Sequence, residues 1–301
     1  MTTDNIAKGI AAAVLAAGLY ALVPNIARLA FESGIPALET VTCRTLATIL
    51  LLGAWALATG QSLRIPTEVR GSFLLQCIAT FIVSTSYLAS LQFIPVGLSV
   101  IIFFCAPVII LVLSPVLEGQ HLHWQKVLLA LIAFAGLVIA IGPRFNHLDP
   151  RGLGLAGLAA SGYAMQFFSG RITGQKMPTQ AMGGLVHLAI LGPILFMAFW
   201  SGEGGIKLLG AGAYIWSLML LAGFFYCAAY VMQMSAVKAA PSSVVAPWFN
   251  LEPVVTTGLA LLLLGEKLAS SHVVGGAIVL GVLFVSEWLD RSGSEKSMER
   301  Q

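Results

Sequence analysis

Ten stretches of about 20 mostly apolar residues fill most of this 301-residue chain. They lie at 8–30, 36–59, 71–92, 96–117, 124–142, 151–170, 180–200, 212–234, 243–264 and 271–289. Each is long enough to cross the roughly 30 Å hydrocarbon layer of a bilayer as a helix. Only 10% of the residues are charged, against about a quarter in a soluble domain. The sequence therefore predicts an all-α integral membrane protein with ten transmembrane helices.

The chain also contains an internal repeat. Within 95–137, eleven of 43 residues recur 146 positions later without a gap, and Pro107 matches Pro253. The prolines and a glycine are the informative matches, because Leu, Val and Ile would coincide by composition alone. A second match, 143 positions apart, pairs Arg28 with Arg171. Internally repeated membrane proteins are usually transporters, since two related halves can rock about a site at their interface.

The repeat predicts the domain organisation and the topology. We expect one five-helix repeat over 1–147, a second over 148–290, and a cytoplasmic tail over 291–301. Five is an odd number, so the second repeat enters the membrane upside down and the pair forms an inverted repeat. With the amino terminus in the cytoplasm, ten basic residues of the loops and ends lie on that side and five on the other. We therefore predict a multi-pass protein of the cytoplasmic (inner) membrane with both termini in the cytoplasm.

Glu252 is the clearest ionisable side chain inside an apolar stretch, about ten residues into the ninth. Such a group at the centre of a membrane helix costs about 2.5–3.5 kcal/mol, so it requires a reason. We interpret it as a proton-coupling site or a site for a substrate ammonium group, because a buried carboxyl group can change its charge under mild conditions. The alternative is a neutral acid, or an ion pair with Arg44, that only holds helices together. Trp248 and Asn250 are expected to contribute neighbouring contacts.

Four prolines are predicted to interrupt helices near mid-depth: Pro24, Pro107, Pro247 and Pro253. The last two lie six residues apart in the ninth stretch and lack amide hydrogens, so the carbonyls of Ser243 and Phe249 lose their usual helical partners. Free carbonyl groups at membrane depth are tolerated only where they face protein or water. The sequence therefore predicts a cavity beside the ninth helix.

Further polar side chains are predicted to face this cavity. Tyr20 and Asn25 of the first stretch, with Tyr163 and Gln166 of the sixth, are expected to form the opposite wall, and Tyr87 is a weaker candidate. Each tyrosine taken singly is more often a packing residue.

Two kinds of arginine need separate explanations. Arg44 lies eight residues beyond Pro36 and is permanently charged, so we expect a counter-charge from Glu252 or Glu39, or a substrate carboxylate. Structural pairing and substrate contact are both open for this residue. Arg28 and Arg171 lie late in their stretches, which favours side chains that extend to the interface.

No cofactor or metal is predicted. His121 and His123 lack further ligands nearby and are typical of a solvated loop. The four cysteines fall in separate stretches and favour packing roles. The net charge of +3 reflects the loops, so we expect no nucleic-acid partner. The expected partners are a small-molecule substrate and the lipid bilayer, and a homodimer is an open alternative.

Two motifs resemble those of a known family. Leu251–Pro253 followed by Gly265–Leu268 resembles the ninth-helix signature of the EamA family, which belongs to the drug/metabolite transporter superfamily. Arg44 also resembles the arginine of that family's second helix. In the first repeat, Gln120 stands at the position that matches Glu266, so the sequence departs from a symmetric pattern there.

The resemblance implies a secondary transporter of ten helices in two inverted repeats. Such a protein moves a small metabolite, such as an amino acid, nucleobase or vitamin-like solute, often outward, through a cavity between the repeats. Proton coupling through Glu252 is our first hypothesis. The alternatives are an uptake carrier of the same fold, an integral-membrane lipid-modifying enzyme and, ranked last, a channel. The sequence favours a protein that is not an enzyme, because its remaining acids are scattered.

Overall fold

The computed structural model of the chain describes residues 3–90, 92–94, 96–119, 124–142, 148–200, 207–264 and 269–298. Within these ranges every regular element is a helix. The α-helices are α1 (Thr3–Glu32), α2 (Ala37–Ala58), α3 (Arg70–Ser90), α4 (Val96–Phe103), α5 (Ala106–Glu118), α6 (Trp124–Ile141), α7 (Pro150–Gly174), α8 (Thr179–Trp200), α9 (Ala213–Ala239), α10 (Ser242–Val245), α11 (Leu251–Leu264) and α12 (Ser270–Met298). Short 3₁₀ segments occupy Thr67–Val69, Lys207–Gly210 and Ala246–Asn250. The predicted all-α class is confirmed.

Each of the ten apolar stretches contains helix, and two of them are interrupted. α4 and α5 share the fourth stretch, whereas α10, the 3₁₀ segment Ala246–Asn250 and α11 share the ninth. Seven of the described segments are long and apolar enough to cross a membrane: Asp4–Ala30, Ala37–Ala58, Thr67–Ser90, Leu98–Glu118, Trp124–Ile141, Thr179–Trp200 and Ala213–Ala239. Crossing by α7, by the interrupted ninth segment and by α12 stays a prediction.

In the other three stretches, the described helices are either too short or not apolar enough to be counted with these seven segments, for different physical reasons. α7 is rich in buried small and polar residues, and it packs against α3, α9 and the α4–α5 segment. Much of its surface therefore meets protein, where small and polar side chains are favoured over large apolar ones. α11 has only 14 residues, and the apolar part of α12 covers Ser270–Ser286. α12 continues to Met298, so no helix end separates the predicted tail from the second repeat.

The packing of the helices is symmetric between the two halves. α1 packs along α9, and α7 packs along α3. In the repeat, α1 corresponds to α7 and α3 to α9, so these are equivalent contacts. α2 packs on its own counterpart α8, and α6 packs on its own counterpart α12. This is the pattern of two halves related by a twofold axis, which an internal repeat predicts.

Small residues bring the paired helices close together. A Cβ atom on Gly275 of α12 would overlap the carbonyl oxygen of Gly136 and the backbone of Ala140 in α6. Gly9 of α1 lies in the same way against Ala240, which follows α9. Membrane helices associate through such close backbone approach. The second contact also shows that the start of α1 and the end of α9 lie at the same end of the bundle.

The distribution of polar and apolar side chains fits a protein that lies in lipid. Gln76, His187 and Gln233 are fully buried, whereas Leu50 is 69% exposed and Phe199 is 87% exposed. A soluble protein places long polar side chains outside and most large apolar ones inside. The outer surface is therefore suited to hydrocarbon, as expected of a multi-pass membrane protein.

Candidate functional site

The ninth stretch changes helix type at mid-length. α10 ends at Val245, Pro247 lies in the 3₁₀ segment Ala246–Asn250, and α11 begins at Leu251. The predicted interruption at Pro247 is therefore present. Pro253 was expected to break the helix as well, but it is the third residue of α11. The first turn of a helix has no use for that amide hydrogen, so a proline is accommodated there.

The fourth stretch is interrupted at the equivalent place. α4 ends at Phe103 and α5 begins at Ala106, so Pro107 is the second residue of its helix and starts it rather than breaking it. In the repeat, Phe104 and Ala106 match Asn250 and Glu252. Both halves therefore have an interrupted helix here, but only the second half has polar side chains at it.

Pro24 does not break a helix, contrary to the prediction. α1 runs without interruption from Thr3 to Glu32 and contains Pro24 in its interior. A proline removes a single backbone hydrogen bond, and α1 packs along both α9 and α11. We infer that this lateral packing keeps the helix continuous.

Glu252 is surrounded by tyrosines from three other helices. Its carboxylate interacts electrostatically with Tyr20 of α1, Tyr87 of α3 and Tyr163 of α7. The side chain is only partly buried. Among the described residues, none donates a hydrogen bond to the carboxylate or forms an ion pair with it. The structure thus brings three of the predicted site residues around an acid that retains its capacity to bind a proton or a cation.

Phenylalanine rings of the two interrupted segments pack against two of these tyrosines. Phe103 lies 5.1 Å from Tyr163 and 5.2 Å from Tyr87, measured between ring centroids. Phe249, its counterpart in the repeat, lies 6.3 Å from Tyr163. The two interrupted segments therefore meet on the same tyrosine of α7. Apolar rings near the site lower the local polarity, which strengthens electrostatic interactions there.

Trp248 and Asn250 lie on the 3₁₀ segment immediately before α11. Trp248 is half-buried against the core, and Asn250 is 3% exposed. Because the helix type changes at Leu251, the four-residue spacing of Trp248 and Glu252 is not that of one α-helix. The two side chains therefore do not lie on one face of a single α-helix.

Asn25 and Gln166 are bonded within the protein rather than facing a pathway. The Asn25 amide donates to the carbonyls of Ala21 and Thr256, at 2.9 and 3.2 Å, and so ties α1 to α11. Gln166 donates to Thr80 Oγ1 at 3.0 Å and accepts from Gln233 Nε2 at 3.3 Å. Both side chains are buried, so the predicted wall is wrong for these two residues. Buried side-chain amides are normally hydrogen-bonded, and these two find their partners within the protein.

Gln233 connects this buried network to the tyrosines. Its Oε1 accepts a 2.7 Å hydrogen bond from the Tyr20 hydroxyl. At the other end of the network, Gln76 accepts from Ser169 Oγ at 2.5 Å. The polar chain thus crosses from α1 through α9 and α7 to α3, so it joins helices of both halves. It fixes the position of Tyr20, which interacts electrostatically with Glu252.

Arg44 pairs with neither of the acids expected from the sequence. Its Nη2 donates to Ser84 Oγ at 3.3 Å, and its Cζ lies 4.5 Å from the centre of the Tyr226 ring. Glu39 instead accepts from the backbone amides of Lys207 and Leu208. Each amide meets one carboxylate oxygen, so this acid is already occupied. Arg44 is thus a partly buried cation held by neutral groups.

Tyr226 is a site residue that the sequence analysis missed. Its ring lies 5.9 Å from that of Tyr20, and its hydroxyl is 3.2 Å from His187 Nε2. It therefore stands between Arg44 and the tyrosines around Glu252. A signal was available, because Tyr226, Tyr230 and Gln233 are three polar side chains inside one apolar stretch.

Arg171 also departs from expectation. It was predicted to extend to the interface, but its side chain is 12% exposed and its Nε lies 3.5 Å from Glu118 Oε1. Arg28, its counterpart in the repeat, is 52% exposed and contacts Glu32. The two matched arginines therefore have different environments at opposite ends of the bundle.

Some of the predicted features fall outside the described residues: Gln120, His121, His123 and Gly265–Leu268. In the part of the chain that the structure describes, no group of three His, Cys, Asp or Glu side chains is placed to hold a metal ion. The described site instead combines one accessible carboxyl group, several hydroxyls and one fixed cation. Such a set can exchange a proton and bind a small charged solute.

The chain is similar to several known proteins. It is 22% identical over 225 residues to an S-adenosylmethionine uptake transporter of Rickettsia prowazekii, with 74% of each chain covered. It is 20% identical over 230 residues to a protein of the same name from Rickettsia felis, covering 76% of this chain and 75% of the relative. A protein crystal structure with 18% identity superposes with a TM-score of 0.80, covering 97% of this chain and 100% of that chain. That last likeness shows a shared fold.

The family model of EamA-like transporters matches the chain twice, over residues 7–142 and 150–287. The two matches fall on the two halves that the internal repeat and the helix packing had separated. The predicted family is thereby confirmed. This chain belongs to the EamA-like transporter family.

Proposed function

We propose that this protein is a secondary transporter that carries a small metabolite across the cytoplasmic membrane by alternating access. The carried solute is an amino acid, a nucleobase or a vitamin-like compound. The two halves act as inverted five-helix repeats, and both termini lie in the cytoplasm. The twofold packing of the helices supports this arrangement, because repeats of this kind rock about a central site.

The observation that carries the proposal is the environment of Glu252. An acid inside a membrane bundle normally has a partner. Here the carboxylate is partly accessible, lies among three tyrosines, and forms no hydrogen bond or ion pair with the described residues. A bound proton or a substrate cation would supply the missing interaction. We propose Glu252 as the group that couples proton movement to solute movement.

The direction of transport has two candidates. Export is what the family resemblance implies. Import is favoured by the names of the two rickettsial relatives, which are uptake transporters. Both directions use the same site and the same alternating access. A lipid-modifying enzyme is less well supported, because family membership points to transport.

The test is flux into proteoliposomes from a mixed metabolite extract, read by mass spectrometry with an imposed pH gradient. The native protein should enrich one class of compound, and that enrichment should require the gradient. Glu252→Gln keeps the shape of the side chain and removes its charge, so it should fold normally and lose the gradient dependence. Glu68→Gln is the matched control, because Glu68 is an exposed acid of the 3₁₀ segment Thr67–Val69.

The outcomes separate the hypotheses. Unchanged gradient dependence in Glu252→Gln would show that this acid is not the coupling group. Enrichment without any gradient dependence would indicate facilitated exchange. No enrichment from well-folded native protein, together with turnover of a lipid substrate, would favour the enzyme. Preloading the vesicles and following efflux decides between export and import.

A further inference from the structure

Glu118 and Arg171 form a buried ion pair at one end of the bundle. Arg171 Nε lies 3.5 Å from Glu118 Oε1, and the two side chains are 12% and 8% exposed. A buried pair contributes little net stability compared with apolar residues of similar size, because desolvation offsets the attraction. Breaking such a pair, in contrast, is strongly unfavourable. A pair of this kind therefore specifies one arrangement of the helices more than it adds general stability.

The pair also holds the ends of two further helices. Arg171 Nη1 donates to the carbonyl of Val237 at 2.7 Å and to that of Ala240, at the end of α9. Glu118 accepts from the backbone amide of Ser242 at 3.0 Å and from its hydroxyl at 2.6 Å, at the start of α10. Four elements, namely the end of α5, α7, the end of α9 and the start of α10, thus meet at one cluster. We call Glu118, Arg171 and Ser242 the end cluster.

The end cluster lies at the entrance of the segment that carries the proposed site. From Ser242 the chain continues through α10 and the 3₁₀ segment to Asn250 and Glu252. Gly9 contacts Ala240, so the cluster is at the end of the bundle where α1 begins. A displacement of α10 away from Glu118 would therefore open a route from that end toward Glu252.

Within the part of the chain that the structure describes, the matching arginine of the first half has a different environment. The repeat pairs Arg171 with Arg28, which is 52% exposed and whose Nε lies 3.3 Å from Glu32 Oε1. The same position in the two halves is thus buried at one end and exposed at the other.

We propose that the end cluster is a gate that closes the bundle between Glu252 and the end where α1 begins, and that the Glu118–Arg171 pair separates when this end opens. This inference rests on the proposed transport function.

The test measures accessibility directly, so that it does not depend on knowing the substrate. Cys43, Cys77, Cys105 and Cys227 are replaced, and Asn250→Cys is introduced as a reporter. A membrane-impermeant maleimide is then applied from either side of oriented vesicles. With the end cluster intact, the reporter should react slowly from the side of the amino terminus. Glu118→Gln and Arg171→Gln should each raise that rate at least about tenfold, since one charge-assisted hydrogen bond is worth about that factor or more.

A control and a second measurement make the test decisive. Asp4→Asn removes an acid at the same end, from a Lys8–Asp4 pair in which both side chains are mostly exposed, and it should leave the rate unchanged. If the single variants misfold, a double variant with Glu118→Cys and Ser242→Cys is used instead. Its two introduced thiols are joined in the folded protein by a short, cleavable bifunctional reagent. Flux should stop on cross-linking and return on cleavage.

The outcomes are distinguishable from those of the transport proposal. Native flux through the cross-linked protein, or labelling rates that the gate variants leave unchanged, would overturn the gate. Faster labelling in the variants with no flux from the native protein would support the gate and overturn the proposed function instead.

Discussion

The Tyr226 ring packs against the Arg44 guanidinium, and replacing Tyr226 measures how much this contact contributes to the free energy of unfolding. The Gly183 carbonyl lies 2.8 Å from His187 Nδ1, so that nitrogen carries the hydrogen and Nε2 accepts from the Tyr226 hydroxyl. Tyr226→Phe removes this hydroxyl but keeps the ring under Arg44. Because His187 is fully buried, its Nε2 is left without that donor, and we expect a loss of about 1–3 kcal/mol in the free energy of unfolding.

Tyr226→Leu removes the ring as well as the hydroxyl. The Arg44 guanidinium lies 4.5 Å from the ring centre in a partly buried position, where a cation–π contact is worth up to about 2 kcal/mol. The leucine variant should therefore be less stable than the phenylalanine variant by roughly that amount. It should also leave Arg44 more mobile near the tyrosines that surround Glu252.

The assay is equilibrium unfolding of the purified protein in mixed detergent micelles. The double-mutant cycle compares the native protein, Tyr226→Phe and Tyr226→Leu, each with and without Arg44→Gln. In the Arg44→Gln background the difference between the leucine and phenylalanine variants should shrink by the cation–π contribution, and the remainder reports the lost packing of the ring on Tyr20 and His187. Equal stabilities of Tyr226→Phe and Tyr226→Leu in the native background would refute the cation–π explanation of how Arg44 is held.

Two further predictions concern the packing and the caps of the helices. Gly275→Ala places a methyl group against the backbone of Gly136 and Ala140, so it should lower the free energy of unfolding by about 1–3 kcal/mol. The control is Gly281→Ala, which lies in open space on the same helix and should be neutral or slightly stabilising in the same detergent assay. Asp149 caps α7, and the hydrogen bonds from the Arg151 side chain and backbone hold the pKa of its carboxyl below the ordinary value. A lowered pKa contributes stability at neutral pH that is lost as the pH falls below about 4. Asp149→Ala should therefore unfold at a lower temperature than the native protein at pH 7 but not in strong acid. A difference in unfolding temperature that is independent of pH would contradict this.

Much of the fold could be read from the sequence because the relevant signals are local. A run of about 20 apolar residues specifies a membrane helix whatever surrounds it, and each predicted stretch contains helix. Pro247 marked a true interruption, since a missing amide acts within one helical turn. Pro24 did not, because the packing of α1 against two helices from the other half of the chain decides whether it stays continuous.

The candidate site was only partly predictable. Glu252 and the tyrosines at positions 20, 87 and 163 were selected because polar groups inside apolar stretches are costly wherever they point. The structure places them near one another, and their role in transport stays a prediction. Asn25 and Gln166 were identified by the same rule but proved to be bonded within the protein. Nothing in the sequence shows which face of a helix a side chain occupies once several neighbours compete for it.

Composition, repeats and single costly residues are properties of the chain, so they were enough to predict the membrane class, the two related halves and an acid inside the ninth stretch. The hydrogen bonds of Gln166 with Gln233, 67 residues away, and of Glu118 with Ser242, 124 residues away, became visible only in the folded bundle. Such contacts depend on how distant helices cross, and the pairing of Arg171 with Glu118 follows from that crossing. The physical reason is that the cost of a buried polar group is fixed by its type, whereas its partner is fixed by the packing of the bundle.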